Sequence, residues 1–330
     1  MSSLLKLEDV KVYFEVKRGL RRTFYVKAVD GVSLELRRGS SIVLVGESGC
    51  GKTTLGKVAV GLLKPTSGKV LYKGKDVFSL KGRERMEFRR RVQLVHQDPY
   101  TCLNPTKTVY AILAAPLKRW GLVKRREELL DKVASLLEEI GIPPEEYLFR
   151  YPHQLSGGER QRISLIRALS VDPEVIVADE AVSAVDASIR VELMDLMLKL
   201  RGKYNVSYLF ITHDLAVARY FAIRSRGFIA VMYLGKILEL APEDEIIKRP
   251  LHPYTKALLA AVPVLDLEYA KTREPLPLKR LDVPSPINLP SGCRFHPRCP
   301  YAMEVCSREE PLLKEYSKGH YVACHLYDRG

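Results

Sequence analysis

Gly46-Glu-Ser-Gly49-Cys-Gly51-Lys52-Thr53 follows the apolar run SIVLV and leads straight into a stretch ending VAVGLL. The spacing is that of the phosphate-binding loop G-x-x-x-x-G-K-[ST], and it stands in the context the pattern needs, after a short buried strand and ahead of a helix. Across it the apolar pattern changes from a continuous run to residues returning every three or four positions. Glycines let backbone N–H groups turn inward around phosphate oxygens, and a helix beginning near Lys52 adds the positive end of its dipole. Lys52 then reaches the β- and γ-phosphates, Thr53 holds Mg²⁺ through its hydroxyl, and Thr54 contacts a neighbouring phosphate, with Gly46, Ser48, Gly49 and Gly51 completing the cradle. The alternative, a glycine-rich turn joining strand to helix, is weakened by spacing and context together.

Working outward, Val175-Ile-Val-Ala-Asp179-Glu180 reads as a buried strand that carries two carboxylates to the edge of a sheet, where ligands bind in open α/β folds. Asp179 suits a Mg²⁺ contact, and Glu180 is placed to orient or deprotonate an attacking water. The segments EVIVADE and VSYLFITHD are strands separated by the helical run ASIRVELMDLMLKLRGKY, the alternation of a parallel sheet. Residues 5–45 read as strands and hairpins. In VKRREELLDKVASLLEEIGI the spacing places Leu129, Leu130, Val133, Leu136, Leu137 and Ile140 on one helical face, closed by Gly141 and Pro143.

The chain has 330 residues and a formal net charge of +14. That length supports a full apolar core without staples. No signal peptide is read at the N-terminus, and runs such as FIAVMYLG are far shorter than the ~20 residues of a membrane span. Basic runs at Arg89-Arg90-Arg91 and Lys124-Arg125-Arg126 lack interleaved aromatics and read as solvated faces, so direct nucleic-acid binding is not expected.

A third element, Leu155-Ser156-Gly157-Gly158-Glu159-Arg160-Gln161, could be a helix cap in which Ser156 and Glu159 form a capping box. It also resembles the LSGGQ signature of ATP-binding cassette (ABC) proteins, and the other cassette motifs follow in order. Gln97 in LVHQDP matches the Q-loop, Ser183-Ala-Val-Asp186 the D-loop, and His213 in ITHD the switch histidine. The resemblance implies an α/β P-loop cassette: a RecA-like parallel core, an antiparallel β subdomain and a helical subdomain at about 100–168. It also implies two cassettes closing head to tail, so that Ser156 and Gly158 of one contact the γ-phosphate held by the other, with Gly157 and Asp186 also among the nucleotide-binding residues. His213 would keep Glu180 and the water in register, and Gln97 would sense Mg²⁺. By position Phe14 would stack on adenine, with Tyr13 next. Glu159, Ala181 and Val185 depart from the usual glutamine, proline and leucine, and none removes a phosphate, metal or water contact. An active ATPase is therefore expected.

Past about residue 241 the chain becomes proline-rich and loop-rich, suggesting a cassette over 1–240 and an extension over 241–330. Pro250-Leu-His-Pro-Tyr-Thr-Lys-Ala-Leu-Leu-Ala-Ala-Val-Pro263 resembles the segment after the cassette in ATPase subunits of oligopeptide and dipeptide permeases, and the resemblance continues through PSPINLPSGCRFHPRCPYAMEVC. Cys293, Cys299, Cys306 and Cys324 follow C-x5-C-x6-C-x17-C, unlike paired C-x2-C zinc knuckles. The resemblance implies a 4Fe-4S cluster, with Zn²⁺ the alternative; either would supply folding energy to a tail poor in apolar runs. His296 and His325 read as solvated or supporting residues.

These expectations combine into the ATP-hydrolysing subunit of an importer at the cytoplasmic face of a membrane. Its implied partners are a second, non-identical cassette, two transmembrane subunits and an extracytoplasmic binding protein. Its implied cargo is peptides, or a related solute such as an oligosaccharide. The competing readings are a soluble nucleic-acid-associated cassette ATPase and a cluster-gated, redox-regulated ATPase.

Overall fold

Alternating apolar residues build a long N-terminal hairpin. β1 (Ser3–Arg18) and β2 (Arg22–Arg37) pair antiparallel, with Leu5, Leu7, Val10, Val12, Val32 and Leu34 buried. β4 (Ser67–Tyr72) and β5 (Lys75–Asp76) extend it to a four-stranded sheet of order β2-β1-β4-β5. The computed structural model describes residues 3–18, 22–98, 102–261 and 277–328.

The second sheet has eight strands in the order β11-β12-β10-β9-β3-β8-β7-β6. Its centre is parallel: β3 (Ser41–Val45), β6 (Val92–Val95), β7 (Val175–Asp179), β8 (Ser207–Thr212) and β9 (Phe228–Tyr233). β3, β7 and β8 are buried along their whole length, which is why their sequences are unbroken apolar runs rather than alternating ones. The two-residue period still sorts their side chains. Val43, Val45, Ile176 and Ala178 pack with the helices on one face, while Ile42, Leu44, Val175 and Val177 pack against the antiparallel sheet on the other.

Helices follow where the apolar period changes. One runs over Lys52–Ala59 directly after the glycine loop, and another over Ala187–Tyr204 between β7 and β8. The helical region contains Val109–Arg119, Arg126–Glu139 and Gly157–Leu169. Within Arg126–Glu139, Leu129, Val133, Leu136 and Leu137 are buried as expected, but Leu130 is 41% exposed. One residue past Leu129 it has turned about 100° around the helix axis, off the packed face.

The C-terminal region is not held as expected. β10 (Lys236–Pro242) takes β12 (His320–Val322) as an antiparallel neighbour, pairing Glu239 with Val322 and Leu240 with Tyr321, and β11 (Lys314–Ser317) completes the edge. Glu239, fully buried, accepts hydrogen bonds from the Leu251 and His252 N–H groups at 2.8 and 2.9 Å and pairs with His320 Nε2 at 2.7 Å. Cys293, Cys299, Cys306 and Phe295 join the larger apolar core. Sheet pairing, a buried carboxylate and core burial thus anchor a tail whose sequence suggests dependence on a metal.

Candidate functional site

Parallel strands β3, β8 and β7 lie side by side, and their carboxyl ends deliver the phosphate loop, His213 and Asp179-Glu180 to one edge. The loop's shape is enforced locally. Gly51 has φ 106°, and a Cβ there would stand 1.9 Å from the Ala28 carbonyl oxygen. At Gly46 a Cβ would stand 2.0 Å from the Met232 carbonyl oxygen. Ser48 and Gly49 are exposed on the loop's outer side.

Lys52 is buried, and its Nζ donates to the Gly46 and Glu47 carbonyl oxygens at 2.7 and 3.0 Å. Thr53 Oγ1 donates to Asp179 Oδ1 at 3.1 Å, so the two expected Mg²⁺ ligands already meet. Burial, reinforced by the neighbouring Glu180 charge, raises the Asp179 pKa despite the Thr53 hydrogen bond. A divalent cation would relieve that penalty, and the donor set fits one. Thr54 is half-buried beside them.

Glu180 has a left-handed backbone, φ 53°, rare for a non-glycine residue. Its N–H donates to the Ile211 carbonyl oxygen at 3.0 Å, and its carbonyl accepts from Ser183 N and Oγ at 3.1 and 2.8 Å. This turn aims the carboxylate at His213, whose Nδ1 lies 2.8 and 2.9 Å from the two carboxylate oxygens. Strain of this kind collects at functional sites.

Gln97 is exposed, and its carbonyl accepts from Gln161 Nε2 at 3.0 Å, linking that segment to the helix Gly157–Leu169. Ser156 caps this helix in a capping box with Glu159, and Tyr147 Oη donates to the Glu159 carboxylate at 2.6 Å. Ser156 and Gly158 border a surface pocket with Ile142, Tyr147, Ile189 and Glu192, and Gly157 lies beside Val185. Asp186 is exposed at the start of the helix Ala187–Tyr204 and makes no capping bond. Phe14 is 41% exposed, whereas the Tyr13 hydroxyl is tied to Asp30 and Lys27 Nζ lies 5.4 Å from the centre of its ring.

Sequence reasoning passed over His96, within electrostatic reach of Asp179, its pKa lowered chiefly by burial. It also passed over Glu47, Asp30, Arg294 and Arg298, which are joined only by the fold. Cys293, Cys299, Cys306 and Cys324 form no disulfide. Burial pushes Cys293 up to about 11 and Cys324 up to about 12, and neighbouring thiol charges add to the shift in each. Among the described residues no group of three or more His, Cys, Asp or Glu is placed to hold a metal ion. The Cys293 and Cys324 thiols lie within electrostatic reach of the other thiols of this set. His296 Nδ1 faces the Cys293 carbonyl oxygen at 2.9 Å, while His325 pairs with Asp328 at 2.8 Å and faces the Glu309 carbonyl oxygen at 2.9 Å.

Comparison with known proteins agrees with this geometry. The ABC transporter family matches residues 29–183, and the oligopeptide/dipeptide transporter C-terminal region matches residues 238–306. The chain is 46% identical over 328 residues to the oligopeptide transport ATP-binding protein AppF of Bacillus subtilis, covering 98% of each chain. It is 42% identical over 330 residues to the oligopeptide transport ATP-binding protein OppF of Salmonella typhimurium, covering 98% of this chain and 96% of the relative. Among solved structures, the dimeric post-hydrolysis state of the ATP-binding cassette MJ0796 with ADP and Pi has a TM-score of 0.62 at 26% identity, covering 72% of this chain and 98% of that one. With its phosphate loop, paired Asp179-Glu180 and facing His213 joined to a permease-type C-terminal region, the chain belongs to the ATP-hydrolysing subunits of ABC transporters, in the oligopeptide/dipeptide branch.

Proposed function

We propose that this chain hydrolyses ATP at the cytoplasmic face of a membrane to drive import of peptides through partner permease subunits. The observation that carries the reading is the convergence of Lys52, the Thr53–Asp179 pair and the Glu180–His213 pair at one sheet edge. The relatives' names supply the peptide cargo. No helix of the described residues is long and apolar enough to cross a membrane, so membrane passage falls to other subunits.

Lys52, now spent on loop carbonyls, would turn to the β- and γ-phosphates. Thr53 and Asp179 would hold Mg²⁺, which supplies charge neutralisation at the phosphates. Glu180 would take the proton of the attacking water, with His213 fixing its carboxylate. Ser156, Gly157, Gly158 and Asp186 would serve the site of a second cassette. The second cassette would be a non-identical one, and an extracytoplasmic binding protein would deliver cargo. Phe14 would stack on adenine, since its ring is open while Tyr13 is tied down. We place the cassette over 1–240 and the permease-type extension over 241–330.

A 4Fe-4S cluster on Cys293, Cys299, Cys306 and Cys324 is retained as part of this reading. Its support is the mutual proximity of four reduced thiols in a buried setting. About four irons per chain after anaerobic purification is the expected result; stoichiometric zinc or no metal would remove it.

Gentle solubilisation of native membranes, purification through a tag on this chain and mass spectrometry of everything retained test the functional reading. Two polytopic subunits, a second cassette and a peptide-loaded binding protein are expected. A soluble preparation carrying nucleic acid would overturn it.

A further inference from the structure

Glu47, the second residue of the phosphate loop, is gripped from two sides by residues beyond the cassette motifs. Its N–H donates to Tyr254 Oη at 3.0 Å, and its carboxylate receives Nη1 and Nη2 of Arg298 at 2.8 to 3.0 Å. The Gly46 carbonyl, in the same peptide as the gripped Glu47 N–H, and the Glu47 carbonyl both accept from Lys52 Nζ, so the grip falls on the residue that parks the phosphate-binding lysine. Arg298 is 5% exposed, its guanidinium lies 5.7 Å from the ring centres of both Tyr233 and Phe295, and Nη1 also donates to Tyr233 Oη at 3.3 Å. A two-pronged guanidinium–carboxylate bond in such surroundings is stronger and more strictly oriented than a surface ion pair.

A second arginine of the same short loop reaches the cassette in parallel. Arg294 donates to the Asp30 carboxylate and the Leu234 carbonyl oxygen, and Asp30 also takes the Tyr13 hydroxyl. Both arginines adjoin thiols, Arg294 next to Cys293 and Arg298 next to Cys299. The loop is drawn tight, with the Arg298 and Cys299 N–H groups donating to the Phe295 carbonyl oxygen at 2.9 and 3.0 Å.

We infer that Arg298 is a positioning residue for ATP, fixing the phosphate loop through Glu47, so that the thiol-bearing C-terminal region forms part of the nucleotide site and its conformation sets ATP affinity. A glycine-rich loop has much backbone freedom to lose, and fixing it before ATP arrives removes that cost from binding. The pair lies outside the reacting groups, so its loss weakens binding and leaves chemistry intact. The inference rests on residues 46–53 being the ATP site.

The test is kcat and KM for MgATP in the purified assembled complex, with melting temperature measured alongside, for wild type, Arg298→Ala, Arg298→Lys, Glu47→Ala and the double alanine variant. Arg298→Ala is expected to raise KM about five- to tenfold with kcat within about twofold. Glu47→Ala should match it, and the double variant should be no worse than either, because both remove one interaction. Arg298→Lys, which keeps charge and loses the fork, should fall between. Should Arg298→Ala fail to assemble, Arg298→Lys and Glu47→Gln carry the same comparison. Lower melting temperature with unchanged KM would overturn the inference, as would KM effects that add. A wild-type complex with no saturable ATP hydrolysis would instead sink the ATP-site reading beneath it.

Discussion

At Glu180 backbone and side chain serve one end. A strained left-handed turn lifts the carboxylate out of the strand direction of Asp179 and onto His213. Replacing Glu180 by Gln keeps the shape and removes the proposed base, so ATPase turnover of the assembled complex should fall at least about 100-fold while ATP binding persists. Asp179 carries the opposite cost. Its raised pKa means that its charge destabilises the nucleotide-free fold at neutral pH, so Asp179→Asn should raise the melting temperature without nucleotide by about 1 to 3 °C, and Mg²⁺-dependent hydrolysis should be lost. A lower melting temperature would show that burial is not what governs this carboxylate. The meeting of Lys52, Thr53, Asp179, Glu180 and His213 at one sheet edge was legible because each sits in a local motif with a chemical reason for its spacing. Glu47 and Arg298 were not, since 251 positions separate them and neither segment alone signals the pair.

Among elements, the parallel strands were readable as unbroken apolar runs, whereas the tail strands were not. β11 is KEYS, exposed throughout, and β12 has three residues; both exist because β10 offers an edge and Glu239 accepts His320. Glu239→Ala strips three donors of a buried acceptor and should destabilise the chain by about 3 to 5 kcal/mol in denaturant unfolding. A change below about 1 kcal/mol would mean that the tail is anchored elsewhere. Glu174, just before β7, ties the two sheets together. Burial opposes its charge, but hydrogen bonds from Lys73, Tyr72 and Arg38 prevail and hold its pKa at about 2. A depressed folded pKa contributes stability in full above the unfolded value of 4.5, and that contribution is lost as pH falls through about 2. Between those values the wild type should lose stability more steeply than Glu174→Gln, as melting curves at successive pH would read; parallel slopes would deny Glu174 this role.

For the whole molecule, the nucleotide-binding edge and the permease-type tail share one sheet and one core, and this unity was hidden in a sequence whose composition changes near residue 241. The tail was read as a loop-rich appendage awaiting a metal because pairing across 80 residues leaves no local trace. The +14 charge, compatible with several partners, decided nothing. In the proposed function Glu180 activates the water that hydrolyses ATP, and that hydrolysis drives peptide import. Uptake of a labelled oligopeptide by cells carrying Glu180→Gln in place of the wild-type chain tests that union most directly, with assembly of the complex checked in the same membranes. Uptake at the level of a strain lacking the gene, with the complex assembled, is the result predicted; uptake equal to wild type would contradict it.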